Sequence, residues 1–231
     1  MTCGKKLQWY ELIPILSFLF QKGRCTGCKS KVSIQYPLVE LLTGLLFLLV
    51  FNFQFYLFKE FSNDFLLSTL YFLVVFSILV VITVYDLRHK IIPDSLVFLF
   101  SGISLLSVIV GIYGGADWTT LLSGPLLATP FALLWLVSQG RWIGFGDAKL
   151  ALGMGWFLGL VDGISAVILA FWIGAFVGVS LILSSKVMPL FLKEKHFTIK
   201  SEIPFAPFLI LGLVIIFFTG WDILGLKLFL L

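Results

Sequence analysis

Gly144-Phe145-Gly146-Asp147-Ala148-Lys149 stands at the head of an apolar segment, Leu150 to Leu160. It sets a carboxylate at the mouth of a hydrophobic helix, behind two glycines. A charge at that depth is costly, so an Asp there is a functional candidate by default. The glycines carry no Cβ, which lets another backbone come close, and Gly144 and Gly146 are therefore candidate substrate-binding positions. Working outward, a second acid ends another long apolar run, in Tyr85-Asp86-Leu87-Arg88-His89-Lys90-Ile91-Ile92-Pro93-Asp94. Asp86 and Asp147 are expected to meet and form one catalytic pair.

Composition sets the solvent. Of 231 residues, 60% are hydrophobic and 12% charged, with mean hydropathy +1.09. Soluble domains carry about 25% charged residues, so the expectation is an all-α, polytopic membrane protein. The net charge of +4 is not a sign of nucleic-acid affinity, and no nucleic-acid partner is expected; the lipid bilayer is. Three cysteines, two of them in Cys25-Thr26-Gly27-Cys28, do not make a disulfide framework. Lys5 and Lys6 followed by Leu12–Phe20 imitate the start of a secretory signal. Gly23-Arg24-Cys25 is no small-residue cleavage site, however, so a cleaved signal is not expected.

Residues 1–37 read as a polar, basic cytoplasmic segment and 38–231 as a membrane-embedded domain. The run Leu12–Phe20 is too short for a span of roughly 20 residues and contains Pro14. It is read as interfacial or re-entrant. Spans are expected near 38–58, 65–85, 92–113, 119–139, 148–161, 163–184 and 204–220. The fifth is short, about 21 Å at 1.5 Å per residue, and its break from the sixth is placed at Asp162-Gly163. Trp221–Leu231 is read as an interfacial tail.

Charge orients the bundle. With the N-terminus cytoplasmic, the inside segments hold Lys5, Lys6, Lys22, Arg24, Lys29, Lys31, Arg88, Lys90, Arg141, Lys149, Lys186, Lys193, Lys195 and Lys200. Of the sixteen basic residues, only Lys59 and Lys227 fall outside, as the positive-inside rule requires. Merging the fifth and sixth spans would send the Lys186–Lys200 loop outside, which keeps the break. Asp86 and Asp147 then lie at the same depth on the cytoplasmic side.

Two carboxylates in close contact cannot both ionise easily, so they share a proton and serve as base and acid at once. That is what hydrolysis of a peptide bond by two aspartates needs. Blander roles compete with this one. Asp147 is a plausible helix N-cap neutralised by Lys149, and Asp86 an ion-pair partner of Arg88 or Lys90. Asp94, after Pro93, reads as a helix start. His89 reads as a headgroup-facing residue and His196 as a solvated one. Asp117, Asp162 and Asp222 fall outside and need no chemistry.

Four stretches in this order resemble the type IV prepilin peptidases, membrane aspartic proteases of the GxGD type. They are the segment from Leu12-Ile13-Pro14-Ile15-Leu16-Ser17 to Tyr36-Pro37-Leu38-Val39-Glu40, Tyr85-Asp86 with Ile92-Pro93-Asp94, Gly144-Phe145-Gly146-Asp147, and Ile203-Pro204-Phe205-Ala206-Pro207-Phe208. In the last, Ala206 stands where the family usually has Gly. The resemblance implies an endopeptidase that removes a basic leader from prepilin or pseudopilin precursors at the cytoplasmic face of the cell membrane. It implies catalysis by Asp86 and Asp147 without a metal, with Pro204 and Pro207 helping to hold an extended substrate. Many members then methylate the new N-terminus with S-adenosylmethionine, so that activity is a further expectation. Members usually carry a first membrane helix and two Cys-x-x-Cys pairs, whereas Met1 here falls inside the first pair. Cys3, Cys25 and Cys28 have the spacing of three thiolates of a structural zinc site; the alternative is three reduced cysteines. Two other classes compete: a small proton- or cation-coupled transporter using Asp86 and Asp147 as relay carboxylates, and a membrane scaffold for an assembly apparatus.

Overall fold

The computed structural model describes residue 4, residues 6–187 and residues 204–225, with the side chains of 184–187 left aside. Two helical turns, Trp9–Leu12 and Trp118–Leu122, are of the tighter 3-10 kind. The α-helices are α1 (Leu16–Phe20), α2 (Gln35–Phe58), α3 (Asn63–His89), α4 (Asp94–Tyr113), α5 (Ser123–Ser138), α6 (Phe145–Leu158), α7 (Leu160–Val187) and α8 (Ala206–Thr219). Among the described residues the only β pairing is an isolated antiparallel bridge between Arg24 and Lys31.

Among the described residues five helical stretches are long and apolar enough to cross a membrane: α2, α3, α4, Trp118–Ser138 and the Leu160–Leu183 part of α7. The chain is a polytopic helical membrane protein. Its surface is inverted relative to a soluble protein: Leu42, Leu67, Val110 and Phe176 are exposed while Gln54 and Ser165 are buried. A bilayer solvates apolar side chains, so polar groups turn inward to find partners. Gln54 does so by accepting a hydrogen bond from Ser68 Oγ at 3.2 Å.

One boundary differs from expectation. The break after the fifth apolar segment falls at Gly159, not at Asp162-Gly163. Gly159 has φ +82°, a left-handed conformation that costs a residue with a Cβ about 1–2 kcal/mol. Asp162 therefore sits in the first turn of α7, and Gly163 is a packing residue against Leu127. Leu12–Phe20 forms no span: Pro14 separates the Trp9–Leu12 turn from the five-residue α1.

The chain divides into two compact units, residues 1–80 and 81–231. In the first, the buried Phe65 meets Phe51, Phe55, Phe58 and Phe61 at ring distances of 5.7, 6.3, 6.2 and 5.3 Å. The edge-on geometry of these pairs suits aromatic quadrupoles. Glu11 is buried and accepts hydrogen bonds from the Gln8 amide at 2.9 Å and from the Thr26 hydroxyl. Glu40 of α2 accepts the Ile15 amide at 2.8 Å.

In the second unit α6 is the central helix, packed on α4, α5, α7 and α8. Small residues make this possible, since they let helix axes approach where lipid supplies no hydrophobic drive. A Cβ on Gly153 would lie 2.6 Å from the Phe100 ring, and one on Gly155 would overlap the Ser123 backbone. Trp156 is anchored over Gly124 by a 2.9 Å hydrogen bond from its Nε1 to the Leu121 carbonyl.

Candidate active site

One helix end and three helix starts build the site. α3 ends where Lys90 takes φ +54° and donates its amide to the Asp86 carbonyl at 2.7 Å. Pro93 cannot continue a helix and biases Ile92 to an extended backbone, so the chain turns through Ile91-Ile92-Pro93 and α4 starts at Asp94. α6 starts after Gly144, whose carbonyl accepts the Asp147 amide at 3.2 Å. α8 starts at Ala206, behind Pro204 and Phe205.

These elements enclose a cavity of about 560 Å³ whose lining includes both Asp86 and Asp147. The two carboxylates are 4% and 7% exposed. Asp86 Oδ2 has no hydrogen-bond partner among the described residues. The Ala206 amide acts on the Asp86 carboxyl, and the Gly144 amide on that of Asp147. A buried acceptor left open at a cavity wall calls for an explanation, and a catalytic role is one of the few that apply.

The competing roles fare poorly. Gly144, not Asp147, is the N-cap residue of α6; Asp147 lies in the first turn. Lys149 does not neutralise Asp147, because its Nζ lies 2.7 Å from Asp94 Oδ1. Asp94 does open α4, and it also lines the cavity, a place its sequence context did not announce.

The other expected positions separate. Gly144, Gly146 and Pro204 line the cavity. Pro207 occupies the second position of α8, where its missing N–H costs nothing, and is not part of the lining. Gly146 faces Ile92: an added Cβ would lie 3.0–3.3 Å from three Ile92 carbons. Its lack of a side chain thus serves α6 packing on the Ile91–Pro93 turn. Lys90, Ile92, Trp142, Phe171 and Phe205 also line the cavity. Ile92 was flagged by its motif, but nothing in the spacing of Trp142 or Phe171 pointed to them. Cys25 and Cys28 share one turn, closed by the Lys29 amide on the Cys25 carbonyl at 3.0 Å and the Cys25 amide on the Ser30 carbonyl at 2.9 Å. Cys3 lies outside the described residues, which hold no group of three metal-ligating side chains.

Residues 73–179 match the type IV leader peptidase family and residues 1–54 match the bacterial peptidase A24 N-terminal domain. A prepilin leader peptidase/N-methyltransferase of Bacillus subtilis is 30% identical over 96% of this chain and 82% of its own length. One of Xanthomonas campestris is 30% identical over 95% and 71%. The chain belongs to the type IV leader peptidase family. A third leader peptidase/N-methyltransferase, of Myxococcus xanthus, is 34% identical over 79% of this chain but only 53% of its own length. No solved structure matches. Both cavity aspartates fall inside the leader peptidase match, which decides for a membrane peptidase over the transporter. Aspartic peptidases of this family need no cofactor for proteolysis.

Proposed function

We propose that this leader peptidase cuts prepilin or pseudopilin precursors at the cytoplasmic face, with Asp86 and Asp147 as its catalytic pair. The observation carrying the reading is that both carboxylates are buried in the wall of one cavity. In the resting pair one carboxyl keeps a proton, because two charges buried in the wall of one cavity repel each other. The ionised carboxylate takes a proton from water as its oxygen bonds to the scissile carbonyl carbon. The neutral partner gives its proton to the carbonyl oxygen, leaving a gem-diol. Collapse transfers a proton to the amide nitrogen, breaks the C–N bond and releases a carboxylic acid and an amine. The pair returns to its singly protonated state, so atoms and charge balance.

The cavity volume suits a short extended segment rather than a folded domain. Trp142, Phe171 and Phe205 give it an apolar rim for the hydrophobic side of the cut, and Pro204 stiffens the wall beside Phe205. We place the basic segment 1–37 in the cytoplasm and count α6 and α8, 14 residues each, among seven membrane-embedded helices. The Cys25–Cys28 turn offers two thiolates on one knuckle, a geometry that fits half of a structural zinc site, with Cys3 as a third ligand; zinc would lock that turn and take no part in hydrolysis. N-methylation with S-adenosylmethionine is a second activity suggested by the relatives' names.

The test is incubation of the full chain in lipid with a pilin-type precursor, read by mass spectrometry for the cut site and for an added methyl group. Wild-type cleavage lost in both D86N and D147N supports the pair. Full cleavage by D147N sinks it, because Asn preserves the shape and cannot titrate.

A further inference from the structure

We propose that the N-terminal segment lies flat on the membrane and that Lys22, Arg24 and Lys29 seat the phosphate headgroup of an anionic phospholipid. The three cations line one cavity of about 750 Å³, together with Phe20, and no acidic residue belongs to its wall. The same N-terminal segment exposes large apolar side chains. Phe20 is 83% and Trp9 75% exposed, and Leu12, Leu16 and Leu19 are also open. Water is a poor solvent for such a face, and a soluble anion would satisfy the cations without covering it.

Position selects the occupant. The Ile15 amide is held by Glu40, in the second turn of α2, at 2.8 Å. Since α2 is long and apolar enough to cross the bilayer, this bond pins the segment where the span leaves the membrane. The Val32 amide donates to the Gly23 carbonyl at 2.8 Å, and the Arg24–Lys31 bridge closes the same loop. Basic side chains and apolar anchors are thus held together at the headgroup level. Trp9 and Tyr10 are of the type that accumulates there. Each cation next to an anionic leaflet favours docking by about fivefold, or about 100-fold for three.

The experiment uses the full chain with a benzophenone amino acid at position 20, in nanodiscs of equal phosphatidylglycerol and phosphatidylcholine. Illumination followed by mass spectrometry counts the adducts. The expected result is lipid adducts with phosphatidylglycerol in excess of phosphatidylcholine by about tenfold or more. High salt, and separately K22A/R24A/K29A, should bring that ratio to about one, since both remove the same attraction. Precursor cleavage by the triple variant should be retained, which shows that it is folded. Three outcomes overturn the proposal: adducts only to protein, no adducts, or lipid adducts without headgroup preference in the unaltered segment. The last reading needs no variant, so it stands even where the triple substitution impairs folding.

Discussion

Lys149 Nζ lies 2.7 Å from Asp94 Oδ1 and joins the second turn of α6 to the first residue of α4. The same ammonium stands 5.3 Å from the Phe98 ring centre and 5.1 Å from that of Phe145. A cation two residues from Asp147 is thereby committed elsewhere. The cavity keeps both Asp86 and Asp147 buried in its wall.

Asp94 is 62% and Lys149 20% exposed at the side chain, so the bridge is partly screened and worth about 1 kcal/mol or less. D94N should lower cleavage by no more than about fivefold. K149M should cost more, because it also removes the contacts with two aromatic rings. A double-mutant cycle on kcat/KM measures the coupling, and additive effects would show that the bridge holds nothing in place.

D86N and D147N should each reduce cleavage by about 10²–10⁴-fold, the usual contribution of a positioned acid or base. The double variant should be no worse than the poorer single one, since the pair acts as a unit. Thermal melts in lipid, unchanged in midpoint or raised, would separate lost chemistry from lost folding.

G146A places a methyl against Ile92 and should impair cleavage by about tenfold as the Ile91–Pro93 turn shifts, overpacking of this kind costing about 1–3 kcal/mol. I92A should restore much of the loss in the G146A background. A role for Gly146 in substrate approach alone predicts no such rescue. G144A meets Asp147 Oδ2 at 3.6 Å and the Gly146 nitrogen at 4.0 Å, both ordinary contacts, and should be the milder change.

G155A drives a methyl into the Ser123 backbone, in the packed centre of the second unit. It should destabilise by about 1–3 kcal/mol, seen as a lower melting midpoint for the lipid-embedded protein. Both α5 and α6 carry backbone at that contact, so no rotamer change relieves it. An unchanged midpoint would mean the helices are looser than drawn.

Helix positions were legible because membrane spans are written locally. Length, hydropathy and flanking lysines mark where α2, α3 and α4 run. The break at Gly159 was misplaced to Asp162-Gly163 because a charged residue looks like a span end. It is the left-handed backbone of a glycine, not the charge, that interrupts the hydrogen-bond ladder. Pro207 opens α8, a place that a motif resemblance does not report.

Taken alone, the chain's residue order determined that two acids sit at the ends of apolar helices. That follows from the cost of placing charge in hydrocarbon, which every local window reports. Only tertiary packing decided that Asp86 and Asp147 share a cavity, that Lys149 turns to Asp94, and that Gly146 yields its space to Ile92. Those outcomes depend on how closely α3, α4, α6 and α8 approach, and close approach is set by side-chain volumes from distant parts of the chain acting together.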